Sequence, residues 1–166
     1  MAIVRASYTR KRGRAKASVR YIENRPGRDG ARLRRTLFKA DGKVERVEVY
    51  AMIDQAAQGS FFYRLVVSPD PRHEDSDRNL GLRELTEKTI RSLEARFQQP
   101  LQWAAAVHDD HAPHRHVHAI AILPQRLNVQ DCQYLHRAAT EAALQQVQQL
   151  ALAREQQEQL QEGWSW

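Results

Sequence analysis

Five of the seven histidines of this chain fall between positions 108 and 118, in the stretch "AAAVHDDHAPHRHVHAIAIL". Imidazole is the commonest ligand for divalent transition metals and a general base near neutral pH. Spacing says more than number. Successive side chains on a strand alternate faces, so His116 and His118 share a face with Ile120 and Ile122, while Val117, Ala119, Ala121 and Leu123 share the other. In the preceding strand Ala104, Ala106 and His108 share a face. A connection from Asp109 to Arg115 suits antiparallel neighbours and folds His108 back beside His116 and His118. Where all three point the same way, three imidazoles make a divalent-metal site with open coordination positions. Such a site suits Zn, Mn, Fe, Cu or Ni and supports Lewis-acid chemistry. His114 competes for a place. The pair His116 and His118 is preferred because Val117 between them packs under the sheet, whereas a His114/His116 pair sends Arg115 toward the core. His111 reads as a solvated loop residue. Asp109 and Asp110 are placed to orient a ligand histidine from behind.

The elements that position these residues follow from periodicity. Residues 2–8 alternate as a short strand. Ala15, Val19 and Ile22 lie at helical spacing within 14–24, and Pro26-Gly27 ends that helix. A short strand or turn is expected in "RTLFKADG". A helix follows over "VERVEVYAMIDQAAQ", with Val44, Val47, Ala51 and Ile53 or Asp54 turned inward. "SFFYRLVVS" (60–68) is aromatic and β-branched, hence a strand. A polar loop leads to a helix with Leu82, Leu85, Thr89, Leu93 and Phe97 on one face and Asn79 as its cap. Strands follow at 101–108 and 115–123, then a long helix from about Asp131. Its apolar side holds Leu135, Ala138, Ala139, Ala142, Val147 and Leu150, and its Gln/Glu-rich end is expected to fray. The order β-α-(β)-α-β-α-β-β-α implies an α+β fold: an antiparallel-rich central sheet with helices packed on its faces.

The chain has 166 residues, enough for one core. No apolar run approaches the ~18 residues of a membrane helix, so no membrane insertion is expected. The N-terminal stretch carries charges where a signal peptide is apolar, and Cys132 is the only cysteine; both fit a cytoplasmic protein. Charge is uneven. Residues 1–40 hold 13 Lys or Arg against Glu23 and Asp29, and the other 126 residues carry a net −5. A basic patch on a folded chain points to a polyanion, most simply nucleic acid.

"FFYRLVVSPD", the helix after it, "LQWAAAVHDDH" and "RHVHAIAIL" resemble the relaxase/mobilisation nuclease family, the His-hydrophobic-His endonucleases that nick DNA at an origin of transfer. The resemblance covers about residues 1–125 and implies a relaxase-like nuclease domain over 1–130, followed by a C-terminal helix over 131–166. It implies His108, His116 and His118 as ligands of a divalent cation, Mg²⁺ or Mn²⁺ first and Zn²⁺ also accommodated. It implies a tyrosine that attacks the scissile phosphate of single-stranded DNA, leaving a 5′-phosphotyrosine link, and accessory mobilisation proteins as further partners. Among Tyr8, Tyr21, Tyr50, Tyr63 and Tyr134, the family places the nucleophile in the first helix, which matches Tyr21 in "KASVRYIENR"; Tyr8 is the runner-up. Arg14, Arg20 and Arg25 surround Tyr21, and Arg32, Arg34 and Arg35 are further phosphate contacts. Two other expectations stand beside this one: a non-catalytic DNA-binding module on the same fold, and a hydrolase that uses activated water.

Overall fold

The computed structural model describes residues 1–27, 29–31, 33–109 and 114–164. The expected Arg32, Asp110 and His111 lie outside the described residues. The elements run β1 (Ile3–Thr9), α1 (Arg12–Asn24), β2 (Phe38–Lys39), β3 (Gly42–Lys43), α2 (Arg46–Gln55), β4 (Phe61–Ser68), α3 (Leu82–Phe97), β5 (Gln102–His108), β6 (His116–Leu123) and α4 (Val129–Gly163). The strands form one sheet in the order β1-β4-β6-β5-β2-β3, with every neighbouring pair antiparallel. The α+β, antiparallel expectation therefore holds, with helices on both faces.

The two faces bury different sets. On one face, Tyr63, Leu65, Val67, Trp103, Val117, Ala119, Ala121 and Leu123 pack under α3 and α4 through Leu85, Ile90, Leu93, Leu135 and Ala139. On the other, Phe62, Ala104, Ala106 and Ile120 pack under α1 and α2 through Ala15, Val19, Ile22, Val49 and Ile53. The small Ala104 and Ala106 let α1 and α2 lie close over β5 and β6. Central β6 is thus apolar on both faces, and this explains its unbroken run "AIAIL". The α1/α2 layer does not extend over β1. There Ile3, Arg5 and Ser7 are exposed, as is Arg64 on β4, so one end of the sheet face stays open to solvent. No helix among the described residues is long and apolar enough to cross a membrane.

Several local expectations need correction. In α2 the inward residues are Val49 and Ile53, both fully buried, with Val44 buried just before the helix; Val47 is 72% exposed and Ala51 also faces out. The helix starts only at Arg46, behind a capping box of Glu45 and Glu48, and that start sets which face turns inward. The cap of α3 is Gly81, not Asn79. Gln146 of α4, itself buried, accepts from the Gly81 N–H (2.8 Å) and donates to the Gly81 carbonyl (3.0 Å). This pair of hydrogen bonds ties α4 to the start of α3. Gln146→Ala leaves the Gly81 N–H unpaired at a part-buried position, while the Gly81 carbonyl keeps its bond from the Leu85 N–H, and is expected to cost about 1–3 kcal/mol in urea unfolding.

Arg115 does face the α3 side of the sheet, in spite of its charge. It is held there by Asp75 through two hydrogen bonds (2.9 and 2.7 Å) and by the Leu80 carbonyl (2.9 Å). A buried, doubly bonded partner removes the objection to an arginine at this position. The first half of α4 belongs to the core through Leu135, Ala139, Ala142 and Ala143. From residue 148 on every described side chain is exposed, although the helix continues to Gly163.

Candidate metal centre

The β5–β6 register brings the histidines together. His108 pairs with His116 across the ladder, and Ala106 pairs with His118, so His118 is the diagonal neighbour of His108. The ring centroids lie 5.5 Å apart for His108/His116, 4.3 Å for His108/His118 and 4.9 Å for His116/His118. One ligand nitrogen from each ring lies within 4.8 Å of the others, so the three residues can hold a metal ion. The fit is chemical as well as spatial. A cation ~2.1 Å from two imidazole nitrogens, at tetrahedral or octahedral angles, spaces them ~3.0–3.4 Å apart. The Nε2 atoms of His116 and His118 are 3.1 Å apart.

Backbone carbonyls set which nitrogens face inward. A carbonyl only accepts, so His108 Nε2 donates to the Ile22 carbonyl (2.9 Å) and its lone pair is on Nδ1. His116 Nδ1 donates to the His114 carbonyl (3.1 Å), which leaves its lone pair on Nε2. The orienting partners are thus main-chain groups. Asp109 is exposed, and its carbonyl accepts from Arg78 (3.4 Å). His114 lies outside β6, so strand alternation does not apply to it; its exposed ring lines the same cavity as His116 and His118, and its carbonyl positions His116. His108 is fully buried. Burial, then the nearby His118 and Arg35, push its pKa down to about 3, so it stays neutral at physiological pH, as a ligand must. His118→Ala is expected to weaken Mn²⁺ binding, read by titration calorimetry, by about 100-fold or more, beyond the ~10–100-fold typical of losing a supporting partner.

Tyr21 stands over this cluster. Its ring is 6.3 Å from the His118 ring and 45% exposed, with the Arg25 guanidinium 5.4 Å from its centroid. The next residue, Ile22, supplies the carbonyl that holds His108, so α1 delivers the tyrosine and orients a histidine in one turn. The other tyrosines are placed elsewhere. Tyr8 packs with Phe61 and Tyr63 on the opposite sheet face. The hydroxyls of Tyr50 and Tyr63 accept from Arg20 and from the Leu127 N–H, and that of Tyr134 donates to the Ser92 carbonyl.

The expected arginines separate into two groups. Arg25 and Arg14 line the cleft at Tyr21. Arg20 turns to Tyr50 on α2, Arg34 pairs with Glu23 (3.8 Å) and Glu45 (3.7 Å), and Arg35 donates to the Arg25 carbonyl (2.6 Å), closing the end of α1. Two arginines escaped the sequence reading: Arg5 on β1 and Arg64 on β4. Their signal is a charged residue at the centre of a strand, which marks a sheet face left uncovered.

The cleft is one run of three overlapping cavities. The first, about 560 Å³, holds His114, His116, His118 and Arg25; Asp70 also lines it, its carboxyl held low first by the Met1 amino group and then by the Arg72 N–H. It shares Arg5, Val66 and His118 with the second, about 350 Å³. The second shares Ser7, Tyr21 and Arg64 with the third, about 400 Å³, which Arg14 closes. The fold and site together define an α+β protein with a three-histidine candidate metal centre at the end of a basic cleft. No protein-family model, no curated protein and no solved structure matches the chain.

Proposed function

We propose that this chain is a metal-dependent, relaxase-like single-strand DNA endonuclease and strand transferase. One observation carries the reading: a half-exposed tyrosine stands beside His118, one of three convergent histidines, in a cleft lined by arginines. His108, His116 and His118 would hold the cation. An all-imidazole donor set favours Mn²⁺ over Mg²⁺, which prefers oxygen ligands and its own waters. When bound, the cation supplies Lewis-acid stabilisation of charge on a phosphate.

The rest falls to the chain. Arg5, Arg64 and Arg14 draw a phosphate backbone along the cleft, and Arg25 packs on the Tyr21 ring beside the site. The Tyr21 oxygen attacks phosphorus. A phosphotyrosine ester forms, the bond from phosphorus to the 3′ oxygen breaks, the phenolic proton passes to water at the open mouth, and the leaving oxygen takes a proton to become a 3′-hydroxyl. The cleft is a groove on a sheet face, a form that suits a flexible single strand whose phosphates can follow it.

The test is incubation with a pool of random single-stranded oligonucleotides plus Mn²⁺, then intact-mass and peptide mass spectrometry. The expected product is a nucleotide adduct on Tyr21. Cleaved DNA without any adduct would replace this reading by hydrolysis through activated water. Retained but uncut DNA would replace it by a binding module.

A further inference from the structure

The far end of the cleft leads to a feature the proposed chemistry does not use. Tyr8, near the end of edge strand β1, points to the α3/α4 face and is 42% exposed. Its ring meets Phe61 edge-on, with centroids 5.3 Å apart at 71°. A guanidinium lies on each ring: Arg126 is 5.3 Å from the Tyr8 centroid and Arg10 is 4.8 Å from that of Phe61. Both arginines are exposed, and among the described residues neither makes an ion pair. The arrangement is braced from below, since the Tyr63 hydroxyl under Tyr8 accepts from the Leu127 N–H (2.8 Å) and so pins the loop that carries Arg126.

The chemistry of this patch is specific. An arginine stacked on a ring keeps its N–H fork directed outward, ready for a phosphate. A half-exposed ring beside it offers a face on which any base stacks, whatever its sequence. An acidic peptide would use the arginines but not the ring. The patch also continues the cleft: the third cavity ends at Ser7, Tyr8 and Thr9. No further strand pairs with β1 among the described residues, so a chain leaving the cleft can cross its edge. Arg5 lies level with His118 through Val66, and Tyr8 is three residues further along β1. That is ~10 Å along the strand at ~3.4 Å per residue, and β1 lies two strand spacings, ~9.6 Å, from β6, so the path from His118 to Tyr8 spans at least ~14 Å, several stacked nucleotides.

We propose that Tyr8, Phe61, Arg10 and Arg126 form a second nucleic-acid site, a stacking platform that holds a single strand several nucleotides from the phosphate at Tyr21. The proposal rests on the reading of the cleft as a nucleic-acid channel. It is tested with the full chain in EDTA, where binding is measured without metal or cleavage. The probe is a fluorescein-labelled oligothymidylate of about 16 nucleotides, read by anisotropy across a salt series. Tyr8→Leu is expected to weaken binding about tenfold with the salt dependence unchanged. Arg126→Ala is expected to lower the slope of log affinity against log salt by about 0.7. The wild-type chain, irradiated with the same oligonucleotide carrying 5-iododeoxyuridine, is expected to crosslink at the peptide containing Tyr8, a measurement that needs no variant to fold.

If the wild type binds, Arg64→Ala weakens it, and neither platform variant nor crosslinking implicates Tyr8 or Arg126, the platform is overturned while the cleft reading stands. That is also the outcome expected of a patch built for an acidic protein. If the wild type binds no oligonucleotide, both readings fall.

Discussion

A Tyr21→Phe chain is expected to bind single-stranded DNA and Mn²⁺ as the wild type does, to form no covalent adduct, and to cleave at least ~10⁴-fold more slowly. The substitution removes one oxygen and keeps the ring. The packing of that ring against His118 (6.3 Å) and Arg25 (5.4 Å) is therefore retained, and α1 still presents the Ile22 carbonyl to His108. Loss of cleavage with retained binding separates a nucleophile from a packing residue. The measurement is a denaturing gel of end-labelled DNA alongside a metal titration. Full cleavage by the variant would mean that water, not Tyr21, attacks; an adduct on a different residue would keep the chemistry and remove Tyr21 from it.

The second large effect is on folding in acid. An unfolded histidine takes up a proton near its ordinary pKa of 6.5, but in the folded chain burial, followed by the His118 and Arg35 charges, holds His108 down at about 3. Between those limits the unfolded state binds more protons, so stability falls as pH falls. The contribution of His108 is fully present above about 6.5 and is lost toward 3, at about 1.4 kcal/mol per pH unit. Asp70 and Asp131, whose carboxyls are also held low, lose stability in the same direction. The informative quantity is therefore the difference from His108→Gln, measured by urea unfolding in EDTA at pH 7, 5.5 and 4. That difference is expected to shrink steadily with acid. A difference independent of pH would assign the acid sensitivity to the carboxylates alone.

The convergence of the histidines was legible because what brings the three rings together is local. Alternation along β5 and β6 and one short connection suffice to bring His108, His116 and His118 to one face, and they do converge there. What escaped was decided by partners distant in sequence. Nothing near Arg115 announces Asp75, 40 positions away, yet that carboxylate lets the arginine turn inward. Gln146 reaches Gly81 across 65 positions and thereby displaces Asn79 as the cap of α3. In α2, valines at 44, 47 and 49 look equally suited to burial, and only the helix start behind Glu45 decides between them. Arg5 and Arg64 were legible in principle. A charge in mid-strand is the sign of a bare sheet face, whereas the density of basic residues points only to the N-terminal end as a whole. Arg34 and Arg35 fit that density and serve instead to close the end of α1.

The hydrogen bond from His108 to Ile22 joins two parts of the molecule with very different histories. The three histidines belong to one hairpin, which any partly folded chain can close quickly. Ile22 and His108 are 86 positions apart, and Tyr21 arrives only when α1 has docked on the finished sheet. Contacts of such separation are the slow ones to form. On the proposed function, a nascent or damaged chain that has closed its hairpin would bring the three histidines together and still have no hydroxyl to cut with. On that same reading, the division of the centre between a local and a distant segment would act as a safety catch: the ability to break a DNA backbone would be released only by completion of the fold.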